Sequence, residues 1–95
     1  MYNHRMPDLL FRVHAVQRMF ERQVSAKRVR AAVEVQDVIE DYSHEMSAPS
    51  RLLMGMQGRR PFHVVVTEDP RAVTVVTVYL PSFDKWKKDF RSRKG

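Results

Sequence analysis

Two runs rich in β-branched residues constrain this chain more than anything else in it. Pro61-Phe-His-Val-Val-Val-Thr67 and Ala72-Val-Thr-Val-Val-Thr-Val-Tyr79 are separated only by Glu68-Asp69-Pro70-Arg71. Valine and threonine fit a pleated surface and lose side-chain freedom in a helix. A proline inside a polar tetrapeptide supplies a turn. The two runs are therefore expected as neighbouring antiparallel strands. Alternation places Phe62, Val64 and Val66 on one face of the first strand, with His63, Val65 and Thr67 on the other. In the second strand Val73, Val75, Thr77 and Tyr79 oppose Thr74, Val76 and Val78. Both faces carry apolar residues, so these strands are expected to be central and covered at least partly on both sides. The mixed face that bears His63 with either Thr77 and Tyr79 or Thr74 is where a concave, chemistry-bearing surface is expected.

The rest of the chain supplies the partners of this sheet. Apolar periodicity predicts a helix over about residues 12–23 and a second over roughly 26–35, joined by the corner Gln23-Val24. Ser25 is the expected N-cap of the second helix, although Arg28 stands where a capping box would have Glu or Gln. In the first helix Val16, Met19 and Phe20 are expected on the buried face, and in the second Val29, Ala32 and Val33. Asp37-Val-Ile-Glu-Asp-Tyr42 reads as a strand, residues 43–50 as a polar loop and Arg51 to Gln57 as the next strand. Gln57-Gly58-Arg59-Arg60 then closes a hairpin. After Pro81-Ser82, Phe83 to Arg91 reads as a short amphipathic helix with Phe83, Trp86 and Phe90 on one side. The expected fold is α+β: two N-terminal helices packed on a four-stranded antiparallel meander sheet, then a short C-terminal helix. Ninety-five residues make one domain, expected over 1–95 with an ordered core of about 11–91 and a basic tail at 92–95.

Charge and composition narrow the function classes. The chain carries a formal charge of +6 and no cysteine, which favours anionic partners and excludes disulfides, thiolate metal sites and cysteine nucleophiles. The four histidines show no paired ligand spacing, so neither a metal nor another cofactor is expected. His4 and His44 fall in expected loops and receive no role. Neither a signal peptide nor a membrane span is read, and the composition fits a cytoplasmic protein. The charge is uneven. Residues 1–30 hold seven basic and two acidic residues, whereas 31–50 hold five acidic residues and no Lys or Arg. That acidic block is expected either as a solvated edge or as a segment that folds back onto the basic ends.

Within the first helix, HAVQRMFER places His14, Arg18 and Arg22 four residues apart and hence on one stripe. An imidazole beside two guanidiniums suits a phosphate-handling site or a solvated basic face. This run, together with V-x-x-A-V-E-V, DVIEDY, GRRPFHVVVTED, TVVTVYLP and a Trp-containing tail, resembles the family catalogued as domain of unknown function 4258. The resemblance covers roughly residues 11–91, and its most specific parts are the His-Ala-x-x-Arg-Met-x-x-Arg helix and the Thr-Val-Tyr strand end. The family often has glycine where this chain has Gln23. Its helices-then-meander layout is similar to that of RelE/ParE-like toxins, small basic proteins of bacterial toxin–antitoxin pairs, many of which cut RNA.

By that analogy the chemistry implied is metal-independent endoribonuclease action. A general base would take the ribose 2′-hydroxyl proton, an acid would protonate the leaving oxygen, and cations would stabilise the transition state. His14 and His63 are the candidate base and acid, with Arg18 as a clamp and Tyr79 as an orienting group or proton donor. Arg22, Arg59, Arg60, Lys87, Lys88 and Arg91 are the candidate nucleic-acid contacts. Each has a structural alternative: His14 as a capping or core residue, Arg18 and Arg22 paired with Glu21, Asp37 or Asp41, His63 half-buried in its strand, Tyr79 in packing. The lysines and arginines from Lys85 to Lys94 have theirs in a solvated tail. Expected partners are RNA or the ribosome, an acidic antitoxin, or a second copy of the chain, with no membrane. The alternative function is a non-catalytic nucleic-acid- or protein-binding module.

Overall fold

The computed structural model describes residues 8–42 and 49–94. Strand β1 (Asp8–Phe11) leads into helices α1 (Val13–Arg22) and α2 (Ala26–Val35). Strands β2 (Val38–Asp41), β3 (Ser50–Gln57), β4 (Arg60–Glu68) and β5 (Ala72–Tyr79) follow. They form one five-stranded sheet in the order β1-β5-β4-β3-β2. The loop expected at 43–50 lies outside the described residues except for Pro49 and Ser50, as do His4 and His44.

From β2 to β5 the sheet is the expected antiparallel meander. The correction is β1, which pairs parallel with β5, Asp8 opposite Ala72 and Phe11 opposite Val75, making the sheet mixed and five-stranded rather than four-stranded and antiparallel. Four residues are too few for alternation to stand out from the helix that follows them. Leu9 and Phe11 nevertheless pack against the core, and Leu10 points away from it.

Helix α1 packs over β5 and α2 over β3, so both lie on one side of the sheet. The core between them joins Ala15, Met19, Val24, Val29, Ala32 and Val33 to Leu53, Phe62, Val64, Val66, Val73, Val75 and Val78. The buried face of α2 is the expected one. That of α1 is narrower: Ala15 and Met19 are buried, whereas Val16 is 50% exposed and Phe20 87% exposed. Apolar residues occupy two arcs of α1, and only one of them meets the sheet. Local chemistry sets the ends of both helices. Ser25 Oγ accepts from the Arg28 amide at 3.1 Å, as an N-cap does. Gln23, at φ 57°, terminates α1 in the left-handed conformation, with Val24 N–H bonded to Met19 O at 2.9 Å. Glycine is needed at Gly55 for a different reason. Phe62 lies directly over it, and a Cβ there would fall 2.4 Å from the ring tip.

Strict alternation fails in β5. Val65 is opposite Thr77 and Val66 opposite Val75, which leaves Val76 as an extra residue. The bulge turns Val78 toward the helices and Tyr79 toward the other face, where it stands opposite His63. The face without helices therefore carries His63, Val65, Thr77 and Tyr79 together with Leu52, Met54 and Glu40, their neighbours in register on β3 and β2.

Residues 83–91 do not form the expected helix. Trp86 N–H bonds to Ser82 O in a single turn, after which the chain becomes a small hairpin with Trp86 bridged to Arg93. Two local preferences end the helix. The Asp89 carboxylate takes the amide hydrogens of Arg91 and Ser92, and Phe90 adopts a left-handed φ of 57°. Of the three aromatics expected in the core, Trp86 is buried, Phe90 is half-buried and stacked on Phe83, and Phe83 is exposed. Residues 81–94 fold back as a clip on the sheet face opposite the helices.

Candidate functional site

His63 lies at the centre of the helix-free face, fully buried, with both ring nitrogens engaged. Phe90 O, 2.8 Å from Nε2, can only accept, so Nε2 carries the hydrogen. Nδ1 then accepts from the Tyr79 hydroxyl at 3.1 Å. Trp86 stands edge-on to the imidazole, ring centres 4.6 Å apart. Burial lowers the His63 pKa, opposed by the Phe90 carbonyl and by the Glu40 charge. The neutral Nε2–H tautomer is the one this environment selects. Burial likewise raises the Tyr79 pKa.

Around this pair lies a second set that the sequence does not single out. Glu40 accepts from Arg93 through Nε at 2.7 Å and Nη2 at 3.0 Å, and also from the Tyr42 hydroxyl. The Arg93 guanidinium lies over the Trp86 ring, 4.6 Å from its centre. The hydrogen bond from Arg93 holds Glu40 below its usual carboxylate pKa despite partial burial. Tyr42 is pushed up to about 12, by burial first and then by its bond to Glu40. Asp37, next to β2, makes a forked pair with Arg91. Two residues of the acidic block, Asp37 and Glu40, thus meet the basic C-terminus, as the second of the two expected arrangements has it. The alternation of Glu40 and Tyr42 was the available signal for this set, but only the return of the clip to β2 gives it meaning.

A basic end forms where β3 passes into β4 through the Gly58-Arg59 turn. Arg60 donates to Arg22 O at 3.1 Å and to Gln23 O at 2.9 Å, placing a cation on the open carbonyls at the α1 C-terminus. Gln57 accepts from the Ser25 amide at 3.0 Å, which ties the hairpin to the helix corner. Arg22, Arg59 and Arg60 have no carboxylate at ion-pair distance among the described residues. His63 faces Tyr79 only three residues into β4, so the basic end and the His63–Tyr79 pair share one end of the sheet.

The candidate residues thus divide into groups. His63 and Tyr79 are brought together. Arg22, Arg59 and Arg60 gather at the neighbouring end, Arg60 as the clasp. His14 and Arg18 stand on the exposed side of α1, with the sheet between them and His63, and Arg18 bonds Glu21 at 2.8 Å. Lys87 and Lys88 are exposed on the clip, and Arg91 is engaged with Asp37. Among the described residues no group of three or more His, Cys, Asp or Glu converges as a metal site would require, and no helix is long and apolar enough to cross a membrane.

Neither the curated proteins nor the solved structures contain a match to this chain. A family model does match, over residues 11–80, from the last residue of β1 to the residue after β5. It stops short of the clip, where the sequence resemblance extends to about 91. With most of its length covered by that model, the chain belongs to the family described as Domain of unknown function (DUF4258).

Proposed function

We propose that this domain binds single-stranded RNA at the basic end formed by Arg22, Arg59 and Arg60. The observation that carries the reading is that these guanidiniums share one end of the fold without a carboxylate partner among the described residues. Phe20 lies two positions before Arg22 and is almost wholly exposed, as a base-stacking side chain must be. An exposed aromatic in the same last turn of α1 suits splayed bases better than a stacked duplex. The analogy drawn from the sequence to RelE/ParE-like toxins favours RNA over DNA, a cytoplasmic setting, and an acidic antitoxin as the complementary protein partner. Arg60 acts mainly by holding the hairpin against α1, so direct phosphate contact falls to Arg22 and Arg59.

Binding to a labelled single-stranded oligoribonucleotide, measured against salt, tests this. Each phosphate contact on a single strand contributes a slope of about −0.7 in log K against log salt. Arg22→Ala and Arg59→Ala should each weaken binding and flatten the slope by roughly that amount. Affinity insensitive to salt, or unaffected by both substitutions, refutes the reading.

The endoribonuclease reading is supported by the His63–Tyr79 hydrogen bond at the same end of the sheet. An imidazole with both nitrogens engaged and no exposure cannot meet RNA as it stands. Cleavage by this group therefore requires the clip to leave the sheet. His14, exposed on α1, is the other histidine available to that reading. A folded His63→Ala/His14→Ala variant that still fragments RNA would remove both histidines from it.

A further inference from the structure

The clip is held to the sheet by one buried aromatic and, beyond it, by polar contacts. Trp86 packs on His63, and the Phe90 carbonyl takes the His63 Nε2 hydrogen. The remaining anchors are two ion pairs, Arg91 to Asp37 and Arg93 to Glu40, whose arginine side chains are about half exposed, at 46% and 52%. Ion pairs with guanidiniums so exposed are screened by salt and open to exchange with competing anions. The clip also carries Lys85, Lys87, Lys88 and Lys94, none with a carboxylate partner among the described residues. Its hairpin closes through Phe90 in the left-handed region, a conformation that disfavours an L side chain, so the closed form contains backbone strain. Finally, the family match over residues 11–80 takes in the sheet face under the clip and ends one residue before the clip begins.

We infer that the clip is a displaceable cover, that single-stranded RNA draws Arg91 and Arg93 away from Asp37 and Glu40, and that a second RNA-binding face of Glu40, Tyr42, His63 and Tyr79 is uncovered. This inference rests on the RNA reading above. The chemistry of the uncovered face fits a ribose–phosphate unit. Release of Phe90 leaves the His63 Nε2 hydrogen available to a phosphate oxygen, while Tyr79 continues to donate to Nδ1. Release of Arg93 leaves Glu40 as an acceptor held by Tyr42. A carboxylate repels phosphate but accepts from a ribose 2′-hydroxyl, which DNA lacks. The polyanion thus competes for the cations of the clip, and the face beneath reads the hydroxyl.

The full chain provides its own reporter, because Trp86 is its single tryptophan and is buried against His63. Tryptophan emission and modification of His63 by diethyl pyrocarbonate, read on the His63 peptide, are followed as an oligouridylate is added. Binding itself is followed independently by fluorescence anisotropy of the labelled oligonucleotide. Expected are a red shift of Trp86 emission at saturation and a rise of about tenfold in His63 modification, equivalent to removing about 1.4 kcal/mol of closing free energy. Asp37→Asn/Glu40→Gln should show both changes without RNA while its far-ultraviolet circular dichroism stays that of the parent. An oligodeoxyuridylate of equal length should bind the parent chain, which keeps Glu40, more weakly than the oligouridylate. Oligouridylate that binds while Trp86 and His63 stay protected overturns the inference and leaves the RNA reading standing. No binding at all removes both. Loss of helical signal in the double variant also overturns it, since the clip would then be part of the folding core.

Discussion

Replacing Gly55 by alanine sets two opposed effects against each other, and the structure decides the sign. Glycine in the interior of a strand costs about 0.5–1 kcal/mol relative to alanine through backbone entropy, so the substitution would stabilise an open site. Gly55 is not open. Its added Cβ would lie 2.4 and 2.7 Å from two ring atoms of Phe62 and 2.9 Å from the Ala32 Cβ. Phe62 is fully buried and α2 lies behind Ala32, so neither neighbour can withdraw without moving the core. Overpacking of this kind costs about 1–3 kcal/mol. The net expectation is a loss of roughly 0.5–2 kcal/mol. A domain of this size shifts its Tm by about 4–8 °C per kcal/mol, so thermal unfolding should begin several degrees lower. Urea unfolding of the same variant should show a lower midpoint with an unchanged m value. In the Gly55→Ala/Phe62→Leu double variant the shorter side chain removes the ring tip, so the combined loss should be smaller than the sum of the two single losses. A Gly55→Ala chain that melts at or above the parent refutes the close-approach argument, and additive losses refute its assignment to Phe62.

Two further predictions concern stability. The folded state holds His63 neutral, its pKa lowered by burial, whereas the unfolded chain takes up that proton near pH 6.5. Stability from this site is therefore complete above about pH 6.5 and is lost as the pH falls through the lowered folded pKa, at up to about 1.4 kcal/mol per pH unit. Urea unfolding at a series of pH values should show this slope in the parent and lose it in His63→Gln, whose side-chain amide can still donate to Phe90 O; equal slopes would refute the assignment. Gln23 ends α1 with a positive φ of 57°, a conformation that glycine adopts without the steric cost of a side chain. Gln23→Gly should therefore gain up to about 1 kcal/mol, read as a higher urea midpoint, and an unchanged or lower midpoint would show that the Gln23 side chain contributes more than its backbone strain costs.

Local periodicity was enough to place α1, α2, β3, β4 and β5, because each buries residues against the same core, and β2 was placed by its β-type residues, although it buries none. Periodicity was not enough for β1, whose partner β5 lies at the other end of the domain and which offers only Leu9 and Phe11 as inward residues. Nor could it choose between the two apolar arcs of α1, since Ala15 and Met19 make as plausible a stripe as Val16 and Phe20 until the sheet is in place. The C-terminal segment misled for a different reason. The spacing of Phe83, Trp86 and Phe90 has helical character, but the Asp89 carboxylate binds the following amides more locally than a helix allows. In the candidate site, His63 and Tyr79 were candidates from the sequence, but alternation left Tyr79 and Thr74 as alternatives on the His63 face, and the bulge at Val76 brings Tyr79 opposite His63. Glu40, Tyr42, Trp86 and Arg93 were not legible, because they meet only when residues far apart in the chain fold together.

Val76 gives the fold a parity rule. Facing in a strand depends on whether the number of intervening residues is odd or even, and the one unpaired residue in β5 changes that parity between Val75 and Tyr79. Were Val76 to enter the ladder as an ordinary residue opposite Val65, Val78 would stand opposite His63 and the imidazole nitrogen would lose its phenol, whereas deleting Val76 would remove the bulge and keep Tyr79 opposite His63. In this domain, the bulge between Val75 and Thr77 is thus as much a determinant of the site as the identity of either side chain. A His and a Tyr at the matching strand ends of a related sequence would mark the same chemistry where the strand keeps this bulge, or where it is one residue shorter and regular.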